Sequence, residues 1–238
     1  TNRGASTPAS PLSIDALDLG GAANVRSPGL YRILRTLPAS ATDTVTVALE
    51  GHPAADLDGD GLFSDRLAVR NVSRDINVAG GRASIAPRRR VVDVANCNRC
   101  HDAAGQGISL HGSNRTGETQ VCVVCHNANN TDIDRRPSDP TMALDGKKEE
   151  AIDFKRMIHQ IHAGSELSNG LVVYGFGGSV NDFGEVEFIG NLQNCETCHL
   201  PGTYGILNAG DALPTTIDTG SDLADPDDDL NISPMAAV

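Results

Sequence analysis

The chain has 238 residues and a mass of 24.9 kDa; 39% of it is hydrophobic, but only 3% is aromatic and Trp is absent. A formal charge of -12 argues against duplex nucleic acid and against an anionic membrane surface as partners. No run of about 18 apolar residues occurs, so no segment spans a bilayer as a helix.

In chain order, residues 1–26 are rich in Ala, Gly, Ser and Pro and read as a loosely ordered lead-in. They begin at Thr1 without an initiator Met or a charged-then-apolar leader, as expected of a processed or excised piece. Residues 27–90 read as a small β domain, or the end of a larger one. Their strand-like runs, Leu30 to Leu37, Asp43 to Glu50, Leu67 to Val72 and Asp75 to Val78, are separated by Gly, Pro and Asp. Within this stretch His52, in Glu50-Gly51-His52-Pro53, reads as a surface-loop residue. Asp56, Asp58 and Asp60, with Gly61 after them, match the first half of a calcium loop. Leu67 stands where an EF-hand needs its bidentate Glu, so the EF-hand is rejected; a shorter calcium loop using Ser64 or Asp65, or a solvated acidic turn, remains. Arg88, Arg89 and Arg90 follow, suited to carboxylate partners or to a solvated boundary loop.

Residues 91–220 hold the informative pattern. The six Cys fall as Cys97/Cys100, Cys122/Cys125 and Cys195/Cys198, and each pair is followed at once by His: His101, His126 and His199. From the chain's own frequencies such a pentapeptide arises by chance on the order of 0.005 times, and here it occurs three times and uses every Cys. This is the attachment signature of c-type haem. Two thiols about one helical turn apart add across the two vinyl groups of one porphyrin, and the next residue ligates the iron from below. Disulfides need no adjacent His, zinc sites use such pairs in twos, and a thioredoxin-like pair comes once beside a βαβ unit. Three covalent haems are therefore expected.

Four His remain. His111, His159 and His162 lie between the first and third motifs, so three haems have three nearby sixth ligands. That match predicts bis-His iron with no open position, and potentials lower than His/Met ligation would give. Met142 and Met235 lie in loop-like sequence, whereas Met157 reads as core. A helix is predicted from Lys147 to His162, with Phe154, Met157, Ile158 and Ile161 as its apolar stripe and Gly164 as its stop. His159 and His162 project about 60° apart around that helix and can reach two different irons. Leu171–Tyr174 and Val186–Ile189 suggest a short hairpin. Residues 221–238 read as an acidic tail, with Asp222 to Asp229 as a disordered stretch. The expected fold class is a multihaem cytochrome c, mostly loops and short helices around haems, preceded by the small β domain. The porphyrins would then form the core that aromatic side chains do not.

Four segments carry a resemblance. They are Asn96-Cys97-Asn98-Arg99-Cys100-His101 with His111-Gly112-Ser113-Asn114-Arg115; Cys122-Val123-Val124-Cys125-His126-Asn127 with Thr131-Asp132; Ile152 through Gly164; and Asn194-Cys195-Glu196-Thr197-Cys198-His199 with Gly202-Thr203-Tyr204. Together, over roughly residues 90–220, they resemble the outer-membrane decahaem cytochromes of metal-respiring bacteria, the OmcA/MtrC family. The resemblance implies haem modules of five haems that pass electrons to minerals, soluble metal complexes or flavins. It also implies redox partner proteins, attachment to an outer-membrane complex, and a place on the surface of a Gram-negative cell. The periplasm is the alternative. With three motifs before Val238, the chain reads as a three-haem fragment or shortened member. Two other functions compete: a multihaem reductase of small oxyanions and a structural haem protein of an extracellular assembly. The reductase needs an open iron and a basic pocket, against both the His count and the net charge.

Overall fold

The computed structural model describes residues 25–27, 30, 31, 37, 44–78, 85, 87–102, 105–205, 213–223 and 225–233. Compact units divide the chain: described residues within Ala48–Ser73 and Arg88–Val238 belong to one, and those within Pro11–Val47 and Arg74–Pro87 to the other. The first six strands are β1 (Val25–Ser27), β2 (Leu30–Tyr31), β3 (Thr44–Leu49), β4 (Ala54–Ala55), β5 (Asp65–Arg66) and β6 (Val72–Asn77). They form three two-stranded sheets, β1 with β2, β3 with β6 and β4 with β5.

Helix α1 (Val94–His101) starts where the Asp93 carboxylate accepts the Ala95 N–H at 2.9 Å, an N-cap. Strands β7 (Ser109–Leu110) and β8 (Arg115–Thr116) pair antiparallel. The loop between them runs through three residues of positive φ, His111 (54°), Gly112 (67°) and Ser113 (69°). Two of these carry a Cβ and strain the turn. Helix α2 (Thr119–Cys125) is capped by Glu118, whose side chain accepts the Gln120 N–H. Helix α3 (Phe154–Ala163) ends at Gly164. Strands β9 (Val172–Tyr174) and β10 (Val180–Asp182) form an antiparallel hairpin, as do β11 (Thr215–Asp218) and β12 (Leu230–Ile232).

Buried polar and charged side chains outnumber buried apolar ones among the described residues. Ala143, Val172 and Tyr174 form a small apolar cluster. Beside it lies Arg136, whose side chain is wholly buried. Its guanidinium donates to Asp132 (2.7 Å), Asp145 (2.6 Å) and the Val172 carbonyl (2.7 Å), and sits 4.9 Å from the Tyr174 ring centroid. A buried charge is tolerable only when so fully bonded. This hub ties the turn after Thr131, the segment around Asp145 and β9 into one body.

The architecture corrects the expected fold class. The described residues hold twelve short strands and three α-helices, and six of the strands, β7 to β12, lie beyond residue 90, where loops and short helices around haems were expected. Ladders of two to four residues are too short to display a period in sequence, so of these six only β9, within the expected Leu171–Tyr174 run, was legible. Three local expectations also change. The helix begins at Phe154, seven residues later than predicted, because the preceding segment is extended. Ala151 bridges Thr131 and the Asp132 carboxylate accepts the Glu150 N–H at 2.7 Å. β9 pairs with Val180–Asp182 instead of Val186–Ile189, because Gly177 and Gly178 supply the positive φ of a tight connection. Finally, the acidic stretch from Asp222 connects a paired hairpin. Asp228 closes it by accepting the N–H groups of Ser221 (2.8 Å) and Asp222 (3.0 Å). Of the lead-in, only Val25 and Arg26 are described; most of the Leu30 to Leu37 run, and Met235, lie outside the described residues.

Candidate haem centres

The three attachment motifs start on different backbones. α1 carries Cys97, Cys100 and His101 at spacings i, i+3 and i+4, one helical face. α2 ends at Cys125, and the His126 N–H donates to the Cys122 carbonyl at 2.9 Å. The third motif is a 3-10 turn, Cys195–Thr197, with the His199 N–H donating to the Cys195 carbonyl at 2.9 Å. All six cysteines are free, so the disulfide alternative finds no bond here. Among the described residues no Cys/His group converges as a zinc site would; the one convergent set is acidic.

Each motif His faces one of the three other His of this region, and each is used once. His101 faces His162 with ring centroids 6.0 Å apart. His111 faces His126 at 6.1 Å. His159 faces His199 at 6.0 Å. Two imidazoles bound end-on to one metal at about 2.0 Å per bond leave their ring centres roughly 6.3 Å apart, a spacing that all three pairs approach. Six Cys in pairs and six His in pairs thus suit three bis-His haems. His159 and His162, one turn apart on α3, face different motif histidines, His199 and His101, while the strained turn carries His111 against His126.

Backbone carbonyls aim two of these rings, while the buried Nδ1 atoms of His159 and His199 make no hydrogen bond. Nδ1 of His126 lies 3.0 Å from the Ile152 carbonyl and Nδ1 of His162 lies 2.8 Å from the Ile158 carbonyl. A ring donating through Nδ1 presents Nε2 as its lone-pair nitrogen, the arrangement a metal-binding His needs. Burial lowers the pKa of His111, His126, His159 and His199, which disfavours their imidazolium forms. Burial likewise raises the thiols of Cys97, Cys125 and Cys198, and pushes Cys122 up to about 11.

The first and third motifs are fastened together. Asn96 Nδ2 donates to the Cys198 carbonyl at 3.3 Å, the Asp93 N–H donates to the same carbonyl at 3.3 Å, and Val92 bridges His199. The second is within electrostatic reach, since the Cys122 and Cys97 thiols act on each other. Sequence reasoning missed Phe188, which lies edge-on to His162, and the capping Glu118; neither stands in a motif. Glu118 receives Arg70 (3.4 Å) and Arg90 (3.3 Å), so one residue of the arginine cluster has a carboxylate partner within the protein.

The remaining candidates stand apart. His52 is half-buried, and its covered Nδ1 makes no hydrogen bond. Met142 is exposed, and Met157 is half-buried on α3. The Gly112 position faces Arg66, whose guanidinium a Cβ would meet at 2.5 Å. Carboxylate oxygens of Asp56, Asp58 and Asp60 lie within 4.8 Å of one another, and each carboxylate also accepts a backbone N–H of its own loop. Asp65 closes that loop by accepting the Leu57 N–H.

Paired thiols, an adjoining His and a second facing His are the side chains that covalent attachment of a c-type haem would use. The family model for outer membrane cytochromes, MtrC/MtrF-like, domains II/IV, matches residues 89–238, and the chain belongs to that family. No curated protein and no solved structure matches it significantly. Members are exported electron-transfer cytochromes of the outer membrane. No helix among the described residues is long and apolar enough to cross a membrane.

Proposed function

We propose that this chain carries three covalent haems and relays electrons through them to acceptors outside the cell, such as metal oxides, soluble metal complexes or flavins. The observation that carries the reading is the one-to-one facing of His101 with His162, His126 with His111, and His199 with His159, each at about 6 Å. When bound, haem supplies a reversible one-electron change at iron. The protein's part is positional. Cys97/Cys100, Cys122/Cys125 and Cys195/Cys198 anchor the three groups. With two imidazoles available to each group, His101 and His162, His126 and His111, and His199 and His159 would hold the iron and leave no ligand position for a substrate, which disfavours the oxyanion-reductase reading. α3 and the Asn96–Cys198 bond fix the spacing between the first and third centres, so little rearrangement accompanies a change of charge.

Single substitutions test the assignment. His159→Ala should turn only the centre on Cys195 and Cys198 high-spin, and His162→Ala only the centre on Cys97 and Cys100. Both variants should slow reoxidation of the reduced protein by a soluble ferric chelate. If neither substitution changes a spin state, or both change the same centre, the assignment is wrong.

A further inference from the structure

The three facing pairs differ in one respect that the motifs do not foretell. The ring planes cross at 78° for His101 with His162, at 31° for His111 with His126, and at only 11° for His159 with His199. What holds His162 crosswise is visible. Its Nδ1 is tied to the Ile158 carbonyl at 2.8 Å, and Phe188 stands edge-on to it, centroids 5.6 Å apart and planes at 90°. Edge-to-face geometry is a preferred aromatic arrangement, so Phe188 resists rotation of the imidazole about its stem.

Phe188 is itself held. Its segment runs against the end of α3, where the Ser165 N–H donates to the Val186 carbonyl at 3.0 Å. Gly164 permits this approach: a Cβ there would lie 2.2 Å from that carbonyl oxygen and 2.7 Å from the Val186 Cβ. The same helix end that carries His162 thus positions the ring that steers it. His199 also has an aromatic neighbour, Tyr204, at 71° with centroids 5.9 Å apart and its hydroxyl bonded to Glu196 at 2.5 Å, but the His159 and His199 planes stay within 11° of each other.

Ring angle matters because each imidazole acts on the iron dπ orbital normal to its own plane. Parallel rings act on one orbital and split the pair; crossed rings act on both and leave them nearly degenerate. That splitting governs the magnetic anisotropy of low-spin ferric iron. We propose that Phe188 is a positioning residue that locks His162 across His101, making the centre on Cys97 and Cys100 electronically distinct from the one on Cys195 and Cys198. The proposal rests on the axial pairing given above.

The test is low-temperature EPR of the oxidised holoprotein, with covalent haem counted on the same sample. The wild-type chain shows three low-spin centres, one with a largest g value well above the other two. Phe188→Leu abolishes that outlying signal and leaves the others in place, whereas Phe188→Tyr, which keeps the ring, retains it. Tyr204→Leu leaves it untouched. Three low-spin signals without an outlier in the wild type overturn the proposal while leaving the axial pairing intact, and need no variant to fold. An outlier that Phe188→Leu does not move also overturns it. A high-spin signal, or fewer than three haems, overturns the pairing and the proposal together.

Discussion

Glu118 shows how a single side chain can organise an attachment motif. Its carboxylate is buried, caps α2 through the Gln120 N–H, and receives two arginines, Arg70 and Arg90, from outside the helix. Burial works to raise its pKa, but the Gln120 N–H and the two guanidinium groups outweigh it and hold the group below its ordinary value. A lowered folded pKa contributes stability above the unfolded value, about 4.3, and that contribution is lost as pH falls through the folded value. Glu118→Gln should therefore cost about 1 kcal/mol near neutral pH, a modest figure because both arginines are solvent-exposed. The difference from wild type should close at acid pH, once the folded carboxyl is itself protonated. Urea denaturation at the two pH values checks this; an equal cost at both would assign the effect to shape instead of charge. At this scale the sequence was most legible: adjacency in Cys-x-x-Cys-His is read without a fold, and the family match agrees with a cytochrome. Glu118 and Phe188 were not legible, because their roles depend on groups distant in sequence.

At the scale of elements, α3 does two jobs with one turn of spacing. Three residues apart on a helix is far enough around for His159 and His162 to face separate partners, and this followed from helical geometry alone. Its start did not. The run from Lys147 has good helix formers, but tertiary bonds from Asp132 and the bridge to Thr131 draw it into an extended path. Those bonds depend on the Arg136 hub, which no periodicity announces. Arg136→Met would leave Asp132 and Asp145 buried without their cation, a change worth roughly 3–5 kcal/mol. The expected result is a cooperative loss of stability by thermal unfolding, with β9 and the segment leading to α3 loosened together. A loss below about 1 kcal/mol would mean that the hub is dispensable.

Over the whole molecule, composition and architecture agree in a way that the sequence foretold only partly. A chain with 3% aromatics builds little apolar core of its own, and buried polar groups hold much of what is described. The expectation of loops and short helices was wrong because many small ladders share the work with three helices. Membership in the outer-membrane cytochrome family agrees with the motif reading and with an exported electron carrier. The central claim is that three haems sit in this chain, each between two histidines. Quantifying the EPR spin states of the untouched oxidised protein against its covalently bound haem tests it most directly. The oxidised protein should give three low-spin ferric centres per chain and no high-spin signal; a high-spin signal that responds to cyanide would contradict the paired-histidine arrangement.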